Sequence, residues 1–395
     1  MAGAASFAVL GSLTSCSHSE NSQVDGEDSS MDVDDTQQIQ KEPTLDERVA
    51  QIVSEFSLEQ KVAQLFFIRP EPLSGIDLAV AAGDATREGY AQYPVGGVIY
   101  FGDNLEDENQ TMEMLSSMAQ IGIDTIGYPP FLSVDEEGGT VVRVGDNPGF
   151  GVANVGDMCD VGATGDTEFA REIAETIAGY LLPLGFNTDF APCCDVANNP
   201  ESDTMVYRSF SSDAQVAADM VRAQVQGFLD AGILCCAKHF PGIGAAIGDS
   251  HEELIYSEKT LDEISECELL PFQAAIEAEV PFVMVGHLSM PNIVGDNTPA
   301  SISGAIVQDI LRDKLGYDGI VVTDSLGMGA VSAHGPQAAV MALQAGCDMP
   351  LMPEDFVAAY DAVLSAVNDG TLTEERIDES VSRIMRVKLG MIQEV

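Results

Sequence analysis

Short unbroken apolar runs alternate along this chain with longer segments in which apolar residues recur at three- and four-residue spacing. The runs cover 63–68, 97–101, 131–135, 186–190, 234–239, 281–287, 319–324 and 347–352. A run without polar alternation suits a strand covered on both faces, and intervening helical segments such as 213–231 and 261–279 supply the crossovers that parallel strands need. Eight such units predict an α/β fold, a (β/α)8 TIM barrel, with an open doubly wound sheet as the other topology. Final helices near 356–368 and 374–389 are expected to close the barrel as a single catalytic domain.

The first 43 residues follow neither pattern. A short apolar stretch, 4–13, ends in Leu13-Thr14-Ser15-Cys16, which resembles a bacterial lipoprotein signal, although no Lys or Arg precedes it. In such signals the segment before the cysteine is removed and the cysteine carries the lipid. Residues 1–16 are therefore expected to be a signal peptide, with Cys16 lipidated and the mature chain anchored outside the cytoplasm; if that reading fails, the protein is cytoplasmic. Residues 20–35 hold seven acidic side chains and no basic one, so 17–43 reads as a disordered acidic linker. As a coil it would reach on the order of 30 Å.

Charge removes some partners. The formal net charge is −47, which opposes a nucleic-acid backbone or an anionic membrane surface, so any membrane contact is expected through the lipid alone. The eight cysteines include the vicinal pairs Cys193-Cys194 and Cys235-Cys236 but no C-x-x-C spacing. Within a strand neighbouring side chains point to opposite faces, so these read as buried thiols without a disulfide inside either pair.

Candidate chemistry gathers at the expected strand ends, where barrel enzymes build their sites: Asp135, Asp189, Lys238, His239, His287 and Asp324. The fifth run ends in Lys238-His239 and passes into Phe240-Pro241-Gly242-Ile243-Gly244, and this loop ends in Asp249-Ser250-His251. Glycines at 242, 244 and 248 permit close backbone approach. An Asp two residues from a His can fix the ring's tautomer and raise its basicity for proton transfer. Asp324 ends an apolar strand, as a rigidly held nucleophile should, though Thr-Asp-Ser before a helix is also capping chemistry.

Together the loop 238–251, the strand end Val322-Thr323-Asp324-Ser325-Leu326 and Asp135-Glu136-Glu137-Gly138-Gly139 resemble glycoside hydrolase family 3, more narrowly its single-domain β-N-acetylhexosaminidases. Supporting pieces are Gly96-Gly97-Val98-Ile99, Asp189-Phe190-Ala191-Pro192, Arg208-Ser209-Phe210, Gly286-His287-Leu288-Ser289-Met290 and Ala345-Gly346-Cys347-Asp348, spread over 58–389. The resemblance implies retaining release of a terminal β-linked N-acetylglucosamine, with cell-wall muropeptides as the expected carrier. Asp324 would be nucleophile, His251 acid then base, and Asp249 its partner. A histidine acid departs from the usual pair of carboxyl groups. Asp135, Arg208, Lys238 and His239 would contact the sugar, with Arg143 near the same subsite. No cofactor and no metal are implied. Ile243 and Glu136 depart from residues common in the family, and the lack of Trp removes one usual sugar platform. Two other readings use the same residues: a phosphorylase that replaces water with phosphate, and a surface sugar-binding lipoprotein without turnover.

Overall fold

The computed structural model describes residues 43–199, 205–246 and 255–393. The expected signal segment, Cys16 and most of the acidic linker lie outside the described residues. Eight parallel strands form one closed barrel in sequence order: β1 (Phe67–Ile68), β2 (Gly97–Ile99), β3 (Phe131–Val134), β4 (Thr188–Asp189), β5 (Leu234–Phe240), β6 (Phe282–Val285), β7 (Ile320–Ser325) and β8 (Met349–Leu351). Closure is direct, because Phe67 pairs with Gly97 of β2 and with Leu351 of β8. The open-sheet topology is thereby excluded, and the family of short apolar runs becomes the barrel wall.

Side chains pointing inward fill the barrel. Phe67, Phe131, Phe190 and Phe282 are fully buried and meet in a chain of ring contacts, with centroids 5.0 to 6.3 Å apart. Each such ring removes a large apolar surface from water, about 1.5–3 kcal/mol apiece relative to exposure. The crossover helices Glu108–Ile126, Thr167–Leu184, Ala214–Asp230 and Phe356–Asn368 start at Asp107, Asp166, Asp213 and Asp355, whose carboxylates accept backbone N–H groups of the first turn. Part of the chain's acidity thus caps helices, at about 1 kcal/mol per cap. At the opposite end of the barrel from the strand termini, buried Asp348 takes hydrogen bonds from Arg312, Arg383 and Ser380.

Two expected elements differ. The run 63–68 is helical at its start, because Ser57 and Gln60 form a reciprocal capping box that launches the helix Leu58–Gln64, and the strand begins only at Phe67. The segment 261–279 is two helices, Leu261–Ser265 and Leu269–Glu277. Pro271 has no N–H to continue the first helix and is accommodated in the opening turn of the second. None of the described cysteines is in a disulfide, and both vicinal pairs are buried, as their apolar surroundings suggested. No described helix is long and apolar enough to cross a membrane.

Candidate active site

Strand ends deliver the site's charges to one place. From β5, Lys238 is 2% exposed and its Nζ lies 2.8 Å from Asp135 Oδ1 and 2.6 Å from Glu137 Oε1, both just beyond β3. Arg208, closing the short helix Met205–Arg208, grips Glu137 with two hydrogen bonds of 2.8 Å. Burial alone would push the Glu137 carboxyl up, but Arg208 and Lys238 outweigh it and hold the group far below the ordinary carboxylate range. The same contacts raise Lys238 and Arg208 against the desolvation that would lower them. Lys238, Arg208 and Glu137 therefore stay charged in a nearly dry setting, where the network keeps hydrogen-bonding strength toward a ligand hydroxyl. Arg143 adds a third cation, 3.8 Å from Asp135 Oδ2.

His239, beside Lys238, is fixed from behind. Its Nδ1 is 2.8 Å from Asp195 Oδ2, the same oxygen accepts its backbone N–H, and Asp195 Oδ1 accepts the Ile243 N–H. Arg208 Nη2 approaches Nε2 at 3.3 Å. An arginine can only donate, so Nε2 accepts and Nδ1 carries the proton toward Asp195. Cys193 Sγ also donates to Asp195, at 3.3 Å. Cys193, Asp195 and His239 thus bring three potential metal-ligand atoms within 4.8 Å of one another. Here they satisfy each other, and the Arg208 guanidinium on the same ring is a poor neighbour for a cation. The loop geometry also uses its glycines: Gly242 has φ +114°, and a Cβ on Gly244 would sit 2.0 Å from the Val196 carbonyl oxygen.

Asp324 stands at the end of β7, with Oδ1 accepting the Ser325 N–H at 2.7 Å. Burial favours its protonated form, but His239, His287, the Ser325 amide and Lys238 outweigh that and hold its pKa below the ordinary value of 3.8. The carboxylate is therefore ionised and available near neutral pH. His287 braces the same strand end: Nε2 lies 2.8 Å from the Ser325 carbonyl and Nδ1 2.7 Å from Ser301 Oγ. Burial lowers its pKa, more than Asp324 raises it, so near neutral pH the ring is uncharged and donates from Nε2.

Asp135, Arg143, Arg208, Lys238, His239 and Asp324 all line one cleft of about 340 Å³. Of the expected site residues, Asp249 and His251 lie outside the described residues, so their placement is not part of this geometry. Asp189 is at a strand end but fully buried, and its Oδ1 accepts the Glu136 N–H, so it holds backbone rather than facing the cleft. Two contributors escaped the sequence reading as individuals: Glu137, which clamps Arg208 and Lys238, and Asp195, which orients His239. Glu136, whose identity departs from the common residue, accepts the N–H groups of Arg143, Val144 and Gly145 and the hydroxyl of Tyr180, and so shapes the loop that carries Arg143.

The barrel agrees with comparisons to known proteins. Residues 57–387 match the family model described as the glycosyl hydrolase family 3 N terminal domain. A relative named beta-hexosaminidase A from Pseudoalteromonas piscicida is 33% identical over 330 residues, covering 77% of this chain and 54% of that protein. A beta-hexosaminidase from Shewanella frigidimarina is 34% identical over 71% of this chain and 82% of its own length. Among solved structures, a glycoside hydrolase family 3 beta-N-acetylglucosaminidase from Paenibacillus sp. FPU-7 aligns with a TM-score of 0.80 at 37% identity, covering 86% of this chain and 64% of that one. The chain thus spans about half the length of the Pseudoalteromonas relative and most of the Shewanella one. With the barrel, the charged cleft and a match over nearly all of the described residues, the chain belongs to glycosyl hydrolase family 3.

Proposed function

We propose that this protein is a retaining exo-β-N-acetylglucosaminidase. The observation that carries the reading is Asp324, an ionised carboxylate on a rigid strand end, facing a cleft whose far wall is the Lys238, Asp135, Glu137 and Arg208 network. A cleft of about 340 Å³ is at the small end of ligand pockets and suits one sugar unit. The names of the matched relatives support N-acetylglucosamine as that unit. In this reading Asp135, Lys238, Arg208 and His239 hold the hydroxyls, with Arg143 beside Asp135.

In the first step an Asp324 oxygen attacks the anomeric carbon, the glycosidic C–O bond breaks, and the leaving oxygen takes a proton from His251. In the second, His251 takes a proton from water, whose oxygen displaces Asp324 and releases the sugar with its β configuration restored. Asp249 would orient the His251 ring and stabilise the imidazolium. The resemblance also implies cell-wall fragments as carriers of the terminal sugar, a question on which charge near the cleft bears below.

Release of p-nitrophenol tests this directly. The expected result is turnover of the β-N-acetylglucosaminide in preference to the β-glucoside, with the same rate and products with and without phosphate. A phosphate-dependent rate yielding a sugar phosphate would instead identify a phosphorylase, and binding of N-acetylglucosamine without turnover a sugar-binding protein. The lipid anchor belongs to the same reading: Cys16→Ser is expected to move the protein from the membrane fraction to the soluble fraction in a bacterial host, and unchanged fractionation would refute it.

A further inference from the structure

Next to the nucleophile's cleft lies a larger cavity of about 610 Å³ that the catalytic reading leaves unused. It is walled by segments that follow β1, β2 and β8 and by the end of β7, so it opens on the same face of the barrel. The two cavities share Phe101, Ser325 and Met352. Lys238, Arg208 and Glu137 line only the first, so the order across the face runs from the charged network, past Asp324 and Ser325, into the second cavity. The equatorial bonds at C4 and C1 of a β-linked pyranose point in opposite directions, so a sugar with its 4-hydroxyl on that network and its anomeric carbon at Asp324 would direct its leaving group toward the side where the second cavity begins.

The walls say what that leaving group is. Leu78 is 44% exposed at the rim, and with Phe101 and Met352 it offers apolar surface to the carbon face of a sugar ring. Four carboxylates, Glu71, Asp77, Asp103 and Glu354, accompany one guanidinium, Arg69. That guanidinium is already engaged: its Nε donates to Glu71 at 3.0 Å, and it lies over the Phe101 ring at 4.8 Å. Asp103 is 3.9 Å from it and 70% exposed. Asp77 and Glu354 are exposed and have no cationic partner among the described residues.

We propose that this cavity is the leaving-group subsite and that it selects uncharged or amine-bearing hexosamine units over units carrying a carboxylate. The inference rests on the glycosidase reading above. All four carboxylates line a single cavity, so a carboxylate on the leaving group meets repulsion within about a Debye length of 8 Å at physiological salt. A ring amine meets attraction from the same groups. Through exposed water each such charge changes affinity by up to about fivefold.

The test compares N-acetylglucosaminyl-β-1,4-muramic acid with a free lactyl carboxylate, its methyl ester, chitobiose, and the analogue with glucosamine at the reducing side. The expected order in kcat/KM is amine at least equal to neutral, with ester over acid by about fivefold or more, a ratio that shrinks in 0.5 M salt and in the double variant Asp77→Asn/Glu354→Gln. Equal or faster turnover of the acid, or an ester-to-acid ratio that neither salt nor the double variant reduces, would overturn the inference. Calorimetric binding of the acid and the ester to Asp324→Asn reads the same preference with no turnover. A wild type inactive on the p-nitrophenyl substrate therefore counts against the glycosidase reading, while the binding ratio still decides the subsite.

Discussion

Asp324→Asn is expected to lower kcat on p-nitrophenyl N-acetyl-β-glucosaminide by about 10⁴-fold or more, on the scale seen when a covalent nucleophile is removed. The side chain keeps its size and its acceptor for the Ser325 N–H, so the fold has no reason to change. What is lost is the negative oxygen that bonds to the anomeric carbon, which an amide cannot replace. The surrounding charges also set the acid side of the pH profile. Because His239, His287 and Lys238 hold the Asp324 pKa below 3.8, its loss of function on acidification lies below that pH, and any limb at higher pH belongs to another group. The linked stability has the same sign: it is present above the unfolded value and lost as pH falls through the folded one. A variant that retains more than a few per cent of kcat, with its melting temperature unchanged, would remove Asp324 from the nucleophile's role.

Glu137→Ala is expected to be the most damaging substitution for the fold of the site. Among the described residues it leaves Lys238, 2% exposed, with Asp135 as its one ion-pair partner, and leaves Arg208 with no carboxylate in salt-bridge contact. Removing one partner of a buried charged pair costs about 3–5 kcal/mol, because the remaining charge has lost its solvation without compensation. The melting temperature should fall by roughly 6–15 °C, and KM should rise as Lys238 and Arg208 lose their positions. Glu137 is held far below its ordinary value of 4.5, so its contribution is complete above that pH and disappears only as pH falls through the depressed folded value. The deficit of the variant should accordingly persist unchanged from pH 8 down to pH 5. The double variant Glu137→Ala/Arg208→Met should recover part of the lost stability, because it also removes the stranded charge. If Glu137→Ala melts within about 1 °C of wild type, the network is not the support described.

How far the sequence carried depends on what each residue acts upon. Seven of the strands lie within their apolar runs almost as read, because a strand covered on both faces writes itself as unbroken hydrophobicity. The first run misled for 63–66, where apolar residues finish a capped helix and periodicity is too short to tell the two apart. Asp135, Lys238, His239 and Asp324 were legible because each stands at a strand end and faces the cleft. Glu137 and Asp195 were not, since each works on another side chain brought near only by the fold: Arg208 lies 71 residues from the first, His239 44 from the second. A carboxylate within the Asp135-Glu136-Glu137 motif was the available signal for one of them. Asp189 and His287 show the converse, being strand-end polar residues that hydrogen-bond to backbone groups and steady the site from beneath.

In the proposed reaction Asp324 forms the covalent intermediate. The most direct test of that step is incubation with a 5-fluorinated N-acetylglucosaminyl fluoride, which glycosylates a retaining enzyme and leaves slowly, followed by mass mapping of the digested protein. One added sugar is expected on the peptide that carries Asp324 and none in Asp324→Asn. An unmodified Asp324 peptide from an enzyme that turns over the p-nitrophenyl substrate, or the α anomer as its first product, would contradict it.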